Sequence, residues 1–386
     1  MDHLTYQIRA LADGVDEVTH NSILKALRDL QLSLETRQDT MNRIAYAHLE
    51  PSLVHVGIGL NVFNILTESE GPLTVDQLAE RTGAAPTLLG RVLRYLASAG
   101  TIKETGRDTF TANNITTHLS NRGVQSAVYH NVETVGPAIL ALRGFLSETQ
   151  YKNITDPSHT PLQKAFNITV PAFVWAATQP ERAEQFNLHM QTQREGQPEW
   201  LDVFQLVERI QAGTDMSLEP DQVLFVDVGG GVGHQGVALR DRLPEAVKNR
   251  IVVQDVEMVI ARAIQREGVE AMVHDFWEPQ PVQGARYYYL RMIIHDYPDE
   301  KAVTLLQNII PAQGPNSAIL IDDLVLPETG VSLYAAQSDI VMMAALAAQE
   351  RTRGQWEVLL QKAGLRIRGS YVYTTRNDTV LECVPA

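Results

Sequence analysis

The chain has 386 residues, of which 44% are hydrophobic, so it is long enough for two globular domains and needs no long disordered region. Its 46 acidic and 32 basic residues give a formal net charge of −14, which argues against a nucleic-acid partner, because such partners are held by clustered lysines and arginines. The single cysteine, Cys383, excludes an internal disulfide and a cysteine-based metal site, and no apolar run approaches the ~20 residues of a membrane span. The N-terminus lacks the pattern of a secretory signal, so we expect a cytoplasmic protein.

Residues 1–45 predict an amphipathic helical segment. Apolar side chains recur there every three or four positions, with charged residues between them: Ile23, Leu24, Leu27, Leu30 and Leu34. Such a stripe needs a surface to cover it. The pattern leaves two possibilities open, the rest of the same chain or a second copy of it.

Residues 46–118 predict a winged-helix domain. A helix begins near Thr74, with Gln77 three residues later as in a capping box, and a second helix runs from Pro86 to a stop at Gly100. Two short strands follow, at residues 101–104 and 108–111, around a turn that contains Gly106.

A winged-helix regulator that binds DNA is the non-enzyme alternative. A helix that reads a DNA groove needs an exposed polar and basic face. The second helix offers only Arg91 and Arg94, and its other side is apolar. The composition of this helix and the acidic charge of the chain therefore disfavour that alternative.

Residues 119–215 predict a helical connector that forms one wall of a substrate pocket. The segment is rich in aromatic and polar side chains of the kind that line pockets for small organic molecules. Together with two methionines of a later helix, they are the candidate substrate contacts: Tyr129, His130, Phe173, Trp175, Met190, Arg194, Met342 and Met343.

Residues 216–386 predict an α/β domain with a Rossmann-like, doubly wound sheet. Buried strands are expected at residues 223–228, 251–254, 287–290 and 318–321. Helical segments separate or follow them at residues 234–243, 257–266, 298–310, 337–348 and 353–363. The alternation of strands and helices is typical of a parallel sheet covered on both faces.

The strongest chemical signal is the run VDVGGGVGH at residues 226–234, where a buried strand ends in an acid and a glycine-rich turn. Glycines allow the backbone to approach a ligand closely, although the spacing is not that of nicotinamide-binding turns. Asp255 ends the next strand, where a carboxylate can accept hydrogen bonds from a ribose. Asp275 and Phe276 follow a further strand-like segment, and an acid beside an aromatic ring suits an adenine base.

Three further stretches make the pattern specific: LRMIIHDYPDE at residues 290–300, IDDLVLPE at 321–328 and QERT at 349–352. Together with the glycine turn, in this order, they resemble the class I S-adenosylmethionine (SAM)-dependent methyltransferases. More narrowly, the chain resembles the O-methyltransferase family of fungal-type and plant-type secondary metabolism. The resemblance implies a Rossmann-like SAM-binding domain preceded by a mostly helical winged-helix dimerisation domain, and an intertwined homodimer to which residues 1–45 contribute.

Carried over position by position, the resemblance assigns one set of residues to the cofactor SAM: Asp227, Gly229, Gly231, Gly233, Asp255, Asp275, Phe276 and Arg291. His295 matches the general base, and Asp323 and Glu350 match the acids that orient its ring. A histidine with a pKa near ~6.5 can accept the proton of a hydroxyl, and a carboxylate on its other nitrogen fixes the tautomer. No metal is expected. The sequence departs from the family in three places: Asp323 replaces a longer glutamate, Ala348-Gln349 replaces the Gly-Lys that often precedes the Glu-Arg-Thr run, and Gln254 stands where an apolar or aromatic residue is common.

Two activities are compatible with this site. The first is O-methyl transfer to a hydroxyl of a small polyketide-type or aromatic metabolite, with His295 as the base. The second is that of the SAM-binding pericyclases of the same family, the leporin and pyridone-alkaloid type, which move no methyl group. There the fixed sulfonium charge would polarise a carbonyl, with His130, Arg194 and Arg291 as donors. The presence of His295 favours methyl transfer.

Overall fold

The structure is a computed structural model that describes residues 2–193, 196–212, 222–245, 247 and 250–386. The chain forms two compact units. The first comprises residues 1–140 and 173–196, and the second comprises residues 141–172 and 197–386. The segment that we assigned to a connector, residues 119–215, is therefore divided between them. In the described ranges no helix is long and apolar enough to cross a membrane.

The first unit is mostly helical. Its helices are α1 (Asp2–Ala12), α2 (Glu17–Leu34), α3 (Arg37–Ala45), α4 (Leu49–Gly59), α5 (Val62–Thr67), α6 (Val75–Thr82), α7 (Pro86–Ser98), α8 (Asn114–Leu119), α9 (Arg122–His130) and α13 (Pro180–Thr192). A π-helical turn, Asn131–Val135, follows α9. Three short strands, β1 (Leu73–Thr74), β2 (Lys103–Gly106) and β3 (Thr109–Thr111), form an antiparallel sheet in the order β1-β3-β2.

The predicted helix start at Thr74 is confirmed. The Thr74 side chain accepts a hydrogen bond from the backbone N–H of Gln77, and the Gln77 side chain accepts one from the backbone N–H of Thr74. Helix α7 begins at Pro86, as predicted, and its apolar face closes the core of this unit around Leu89, Leu93 and Leu96.

The N-terminal segment is helical, as predicted, but it consists of three helices rather than one. Breaks occur before α2, where Asp16 is the N-cap, and before α3, where Thr36 and Asp39 form a capping box. Helix α2 has no buried residue, and Leu34 is 72% exposed. Within the described part of the chain, the apolar stripe is therefore not covered.

The second unit holds a mixed eight-stranded sheet. Its strands are β4 (Phe225–Val228), β5 (Ile251–Asp255), β6 (Val269–Val273), β7 (Tyr287–Arg291), β8 (Ala318–Leu326), β9 (Arg351–Thr352), β10 (Leu365–Val372) and β11 (Asp378–Pro385). The order is β10-β11-β8-β7-β4-β5-β6, with β9 paired to β8. The strands from β8 to β6 are parallel, and β10 and β11 are antiparallel. This sheet confirms the predicted Rossmann-like fold.

The second unit also contains the helices that pack on the sheet and a helix that lies earlier in the chain. They are α14 (Trp200–Phe204), α15 (Leu206–Ala212), α16 (His234–Arg242), α17 (Glu257–Ile260), α18 (Asp299–Ile309), α19 (Leu333–Leu346) and α20 (Arg353–Ala363), with α11 (Pro161–Phe166) earlier in the chain. Two more, α10 (Gly136–Glu148) and α12 (Ala172–Ala176), include the points where the chain passes from one unit to the other.

Alternating side chains of β7 build two separate cores, one on each face of the sheet. Tyr288 and Leu290 pack on one face with Trp356 of α20. Tyr287 and Tyr289 pack on the other face with Trp200 of α14. A strand that is buried on both faces is expected where helices cover both sides of a parallel sheet.

Helix α17 is shorter than the predicted segment 257–266. After Ala261 the chain leaves the helix, and the N–H of Ile264 donates to the carbonyl of Val232 in the glycine turn at 2.9 Å. This hydrogen bond holds the segment against the turn and replaces the helical pattern. Strands β10 and β11 are not among the predicted elements.

Candidate active site

The glycine turn follows β4 directly and leads into α16. A Cβ at position 229 would lie 2.7 Å from Cδ1 of Ile293, so a larger residue requires this side chain to shift, and the φ of +69° itself favours glycine. Gly231 has a φ of +62° and no neighbour within 4 Å of an added Cβ, which leaves open space above the turn. Gly233 is the N-cap of α16, with a φ of 96°. The turn is therefore tightly packed at its start and open in its middle.

Asp227 lies beneath this turn. Its carboxylate is buried, and one oxygen, Oδ2, has no hydrogen-bond partner among the described residues. Burial raises the pKa of Asp227 to about 7; the charge of Arg291 acts against the rise, and that of Asp255 adds to it. A buried acceptor without a donor is expected where a ligand supplies the missing hydrogen bond.

Asp255 ends β5 beside the same turn. Its Oδ2 accepts a hydrogen bond from the N–H of Gly231 at 2.9 Å, and its Oδ1 accepts one from Val256 at 2.8 Å. Burial raises the pKa of this carboxyl, and the two backbone donors act against the rise. Since β4 and β5 are parallel neighbours, Asp227 and Asp255 lie at the same edge of the sheet.

The loop after β6 carries the predicted adenine contacts. Asp275 is exposed, and its Oδ1 accepts a hydrogen bond from the N–H of Trp277 at 3.0 Å. Phe276 and Trp277 both pack edge-on against Tyr297, with ring centroids 6.0 and 5.0 Å away. The loop thus places an exposed carboxylate next to an aromatic ring at the carboxyl end of the sheet.

These features fit an adenosyl ligand. The open space at Gly231, the unpartnered oxygen of Asp227 and the acids at the ends of β4 and β5 provide room and acceptors for a nucleoside that carries a positive charge. Among the residues that the structure describes, no group of three or more His, Cys, Asp or Glu side chains is arranged to hold a metal ion.

Arg291 ends β7 and is anchored by a buried carboxylate. Its Nε lies 3.6 Å from Oδ2 of Asp322 on the neighbouring strand β8. Two tyrosine hydroxyls donate to the same carboxylate, from Tyr289 at 2.5 Å and from Tyr373 at 2.8 Å. Burial opposes the charge of Arg291, but its acidic neighbours raise its pKa above the usual value, so Arg291 is a fixed cation.

His295 lies in a short 3-10 turn after β7, and it is buried. Its Nδ1 is 2.9 Å from Oε1 of Glu350. The same carboxylate oxygen accepts a hydrogen bond from the hydroxyl of Ser338 in α19 at 2.7 Å, and the backbone N–H of Glu350 donates to Asp339 at 2.9 Å. Both side-chain contacts are made by Oε1, whereas Oε2 is buried and has no hydrogen-bond partner among the described residues. The Oε1 contact orients the imidazole ring.

The other ring nitrogen of His295 also faces a carboxylate. Oδ1 of Asp296 lies 3.4 Å from Nε2. Burial opposes the charge of the ring, but the carboxylates of Asp296, Glu350 and Asp323 outweigh it and raise the pKa of His295 to about 10. The ring is therefore an imidazolium at neutral pH, which differs from the value near 6.5 assumed from the sequence.

Asp323 does not hold His295 by a hydrogen bond. Both of its carboxylate oxygens are buried and have no hydrogen-bond partner in the described part of the chain, and burial raises the pKa of Asp323 to about 8. Any influence on His295 is through charge, and it is exerted only when the Asp323 carboxyl is ionised.

Two of the candidate substrate residues of the first unit, His130 and Phe173, belong to one group of neighbouring rings. The ring of His130 lies 5.2 Å from that of Phe186 and 5.9 Å from that of His189, and the ring of Phe173 lies 6.5 Å from that of Phe186. Burial, then the nearby positive charges, lower the pKa of His130 to about 4, so this ring is neutral at neutral pH.

The remaining candidates have different surroundings. Tyr129 packs edge-on against His55 at 5.5 Å, the guanidinium of Arg182 lies 5.7 Å from the ring of Trp175, and the sulfur of Met190 is 3.3 Å from Nε2 of Gln193. In the second unit Met343 packs against a small core of Phe145, Ile154 and Ala347, and Met342 is half-buried in α19. Arg194 lies outside the described residues.

Several polar residues of the site were not predicted. Asp296 is adjacent to the predicted base, and Asp322 is adjacent to Asp323, so each lay within a stretch already singled out. Ser338 precedes Asp339 in α19, a helix of mainly apolar residues. The local sequence does not show which member of two adjacent acids points to the histidine, because this depends on the pleat of the strand.

Comparison with known proteins agrees with this geometry. Residues 151–366 match the model of the O-methyltransferase domain, and residues 42–125 match that of the O-methyltransferase dimerisation domain. Demethylsterigmatocystin 6-O-methyltransferase of Aspergillus parasiticus is 39% identical over 370 residues, which are 96% of this chain and 94% of that protein.

Two solved structures are similar over the whole chain. One is described as a pericyclic reaction enzyme, with a TM-score of 0.93 and 36% identity, and the match covers 100% of this chain and 99% of the other. The second, LepI in complex with SAM, also has a TM-score of 0.93 and 36% identity and covers 100% and 98%. The fold, the glycine turn and these relatives agree: the chain belongs to the O-methyltransferase family and is a SAM-dependent enzyme.

Proposed function

We propose that this enzyme transfers a methyl group from SAM to a hydroxyl of a small polyketide-type or aromatic metabolite, with His295 as the base. The observation that carries the proposal is the 2.9 Å contact between Nδ1 of His295 and Glu350. A base that is held by a buried carboxylate keeps Nε2 as the nitrogen that can take a proton. The name of the relative from Aspergillus parasiticus, a 6-O-methyltransferase, supports this activity.

The proposal assigns the cofactor to the carboxyl edge of the sheet. Asp227 and the glycine turn would hold its amino-acid part, Asp255 the ribose, and Asp275 with Phe276 the adenine, with Arg291 as a fixed cation nearby. SAM supplies an electrophilic methyl group next to a positive sulfonium. The chain's own residues orient the hydroxyl and accept or balance its proton.

The doubly partnered imidazole defines which hydroxyl suits this site. With a pKa of about 10, His295 is protonated at neutral pH and pairs well with a hydroxyl that has already ionised, such as an acidic phenol or enol. A less acidic hydroxyl reacts only with the neutral form of the ring, which can accept its proton and which becomes more abundant as the pH rises. We therefore expect the more acidic hydroxyls to react faster at neutral pH.

A second candidate function is SAM-dependent ring closure without methyl transfer. The specific observation in its favour is again His295, because an imidazolium donates a hydrogen bond to a carbonyl and stabilises developing negative charge. The solved structure described as a pericyclic reaction enzyme is 36% identical to this chain. In this alternative His130, Arg194 and Arg291 are the further candidate donors.

The proposal includes a homodimer of intertwined chains in the cytoplasm. The match to a dimerisation domain and the uncovered apolar stripe of α2 support a second copy of the chain as the partner. Regions that pack only on another subunit remain exposed in a single chain.

One experiment separates the two functions. The protein is incubated with methyl-labelled SAM and a panel of hydroxylated polyketides and pyridone precursors, and label and product mass are followed together. Label in a product, lost in His295→Ala and kept in a control at an exposed histidine, His118→Ala, is the expected result. Loss of water or isomerisation with SAM required but not consumed would instead establish ring closure.

A further inference from the structure

Gln254 connects the glycine turn to the loop after β6, although it is not itself among the predicted SAM contacts. Its backbone carbonyl accepts a hydrogen bond from the N–H of Gly230 in the glycine turn at 2.9 Å. Its side chain is fully buried and points the other way, to the side chain of Gln280. The residue that follows is Asp255. One residue of β5 thus contacts the glycine turn through its backbone and the loop after β6 through its side chain.

The two glutamines form a reciprocal pair. Nε2 of Gln254 donates to Oε1 of Gln280 at 2.9 Å, and Nε2 of Gln280 donates to Oε1 of Gln254 at 2.8 Å. Oε1 of Gln280 also accepts from the N–H of Val282 at 3.1 Å. Both side chains are buried, with Gln280 only 3% exposed. A buried amide is costly unless it is hydrogen-bonded, so this geometry is strongly constrained.

Asn308 of α18 extends the pair to the loop itself. Its backbone carbonyl accepts a hydrogen bond from the N–H of Gln280 at 3.0 Å. Its side-chain amide donates to the carbonyls of Phe276 at 3.2 Å and Trp277 at 2.8 Å. The backbone next to Asp275 is therefore held directly by the side chain of Asn308. The glutamine pair is joined to Asn308 through the backbone N–H of Gln280.

We propose that Gln254, Gln280 and Asn308 form an amide clamp that sets the position of the Asp275–Phe276 backbone and so determines selectivity for adenine. The inference rests on the proposed assignment of Asp275 and Phe276 to the adenine. Apolar side chains at positions 254 and 280 would fill the same space but would not fix the orientation of one side chain relative to the other, since only hydrogen bonds impose that angle. The three amides are positioning residues, which act through Asp275.

The test compares two ligands that differ at one adenine group. S-adenosylhomocysteine carries a 6-amino group that can donate to Asp275, and S-inosylhomocysteine carries a 6-oxo group that cannot. We expect the natural chain to bind the adenosyl form more tightly, by about tenfold, which is the worth of one hydrogen bond to a charged group. Isothermal titration of both ligands gives the ratio of the two dissociation constants.

Gln254→Leu, Gln280→Leu and Asn308→Ala are expected to reduce this ratio toward one. General loss of stability would weaken both ligands alike and leave the ratio unchanged. Gln313→Leu removes an amide outside the clamp and serves as the matched control, with an unchanged ratio. If all three clamp variants keep the ratio of dissociation constants measured for the natural chain, the proposal is overturned.

If the single variants do not fold, the double variant Gln254→Met with Gln280→Met is measured instead. It removes both amides of the pair and so leaves neither of them buried without a partner. A reduced ratio supports the clamp, whereas a natural ratio would mean that the pair acts by packing alone and would overturn it. Asp275→Asn distinguishes the two levels. If Asp275→Asn leaves the ratio of the two dissociation constants unchanged, both the adenine assignment and the clamp are overturned. If Asp275→Asn brings the ratio to one while the clamp variants keep the ratio of the natural chain, only the clamp is overturned.

Discussion

The carboxylate of Asp296 lies 3.4 Å from Nε2 of His295, the ring nitrogen opposite to the one that Glu350 contacts. A substrate hydroxyl that reaches this nitrogen must therefore compete with Asp296. The imidazole is held as a cation between two acids until a substrate arrives. The protonation state of His295 therefore decides its role: the neutral ring can accept a proton, and the cationic ring can stabilise negative charge.

The first prediction concerns pH. For a weakly acidic hydroxyl, the rate of methyl transfer should rise with pH toward the His295 pKa of about 10, because only the neutral ring accepts a proton. Glu350→Gln removes one of the charges that raise this pKa, so the rising limb should move to lower pH. Initial rates between pH 6 and pH 10.5, in natural protein and variant, provide the measurement. A rate that falls as the pH passes the pKa would instead indicate that the cationic ring is the active form.

The second prediction uses two glycines of the same turn. Gly229→Ala and Gly231→Ala share a backbone cost of about 1–2 kcal/mol, because both positions have positive φ. Only the alanine at 229 also meets Ile293, so its loss of unfolding free energy in urea should be the larger. Ile293→Val, which removes the contacting methyl group, should restore part of that loss.

Alanine at 231 should act on the ligand instead. Its methyl group would enter the open space above the turn, so SAM affinity should fall with little stability loss beyond the backbone cost. Equal SAM affinities in natural protein and Gly231→Ala would show that the cofactor does not occupy this space.

A third prediction concerns the carboxylate behind Arg291. Asp322→Ala leaves a partly buried guanidinium and two buried tyrosine hydroxyls without their acceptor, so the unfolding free energy should fall by about 3–5 kcal/mol. Tyr373→Phe removes one hydrogen bond to the carboxylate and should cost about 2 kcal/mol. Urea unfolding followed by circular dichroism measures both. A cost for Asp322→Ala no greater than for Tyr373→Phe would contradict the role of Asp322 as the anchor of Arg291.

The fourth prediction concerns the stripe on α2. Replacing Leu24, Leu30 and Leu34 together by glutamine should convert the dimer into a monomer and abolish activity, because the stripe is uncovered within the described part of one chain. Deletion of residues 1–45 should have the same effect. Sedimentation velocity measures the mass, and Lys25→Gln with Arg28→Gln on the same helix is the control that should remain dimeric. An active monomeric deletion variant would refute this part of the proposal.

Local signals in the sequence predict most elements of the fold. The capping box at Thr74 and the start of α7 at Pro86 depend on residues within one helical turn, and the structure has both. The buried strands of the parallel sheet are recognisable because they are apolar on both faces. Strand β10 is less apolar, with side chains that are alternately buried and accessible and a register shift between Ile367 and Gly369, and it is not predicted.

Contacts between distant residues are the part that could not be predicted. His295 and Glu350 are 55 positions apart, and only the resemblance to a family connects them. Gln254 and Gln280 are 26 positions apart, and the sequence shows Gln254 only as an unusual residue in a strand. Their pairing depends on which face of the strand each side chain occupies and on the path of a loop, and neither is encoded in local periodicity.

Trp277 has a consequence for how the enzyme can be studied. Its indole lies in the loop held by Asn308, packs against Tyr297 and is 5.3 Å from Nζ of Lys301. Since Trp200 and Trp356 are fully buried in the cores, Trp277 is the fluorophore of the second unit that senses rearrangement of this loop. Its emission, isolated by subtraction of a Trp277→Phe variant, gives an optical signal for ligand binding that requires neither a label nor a known substrate.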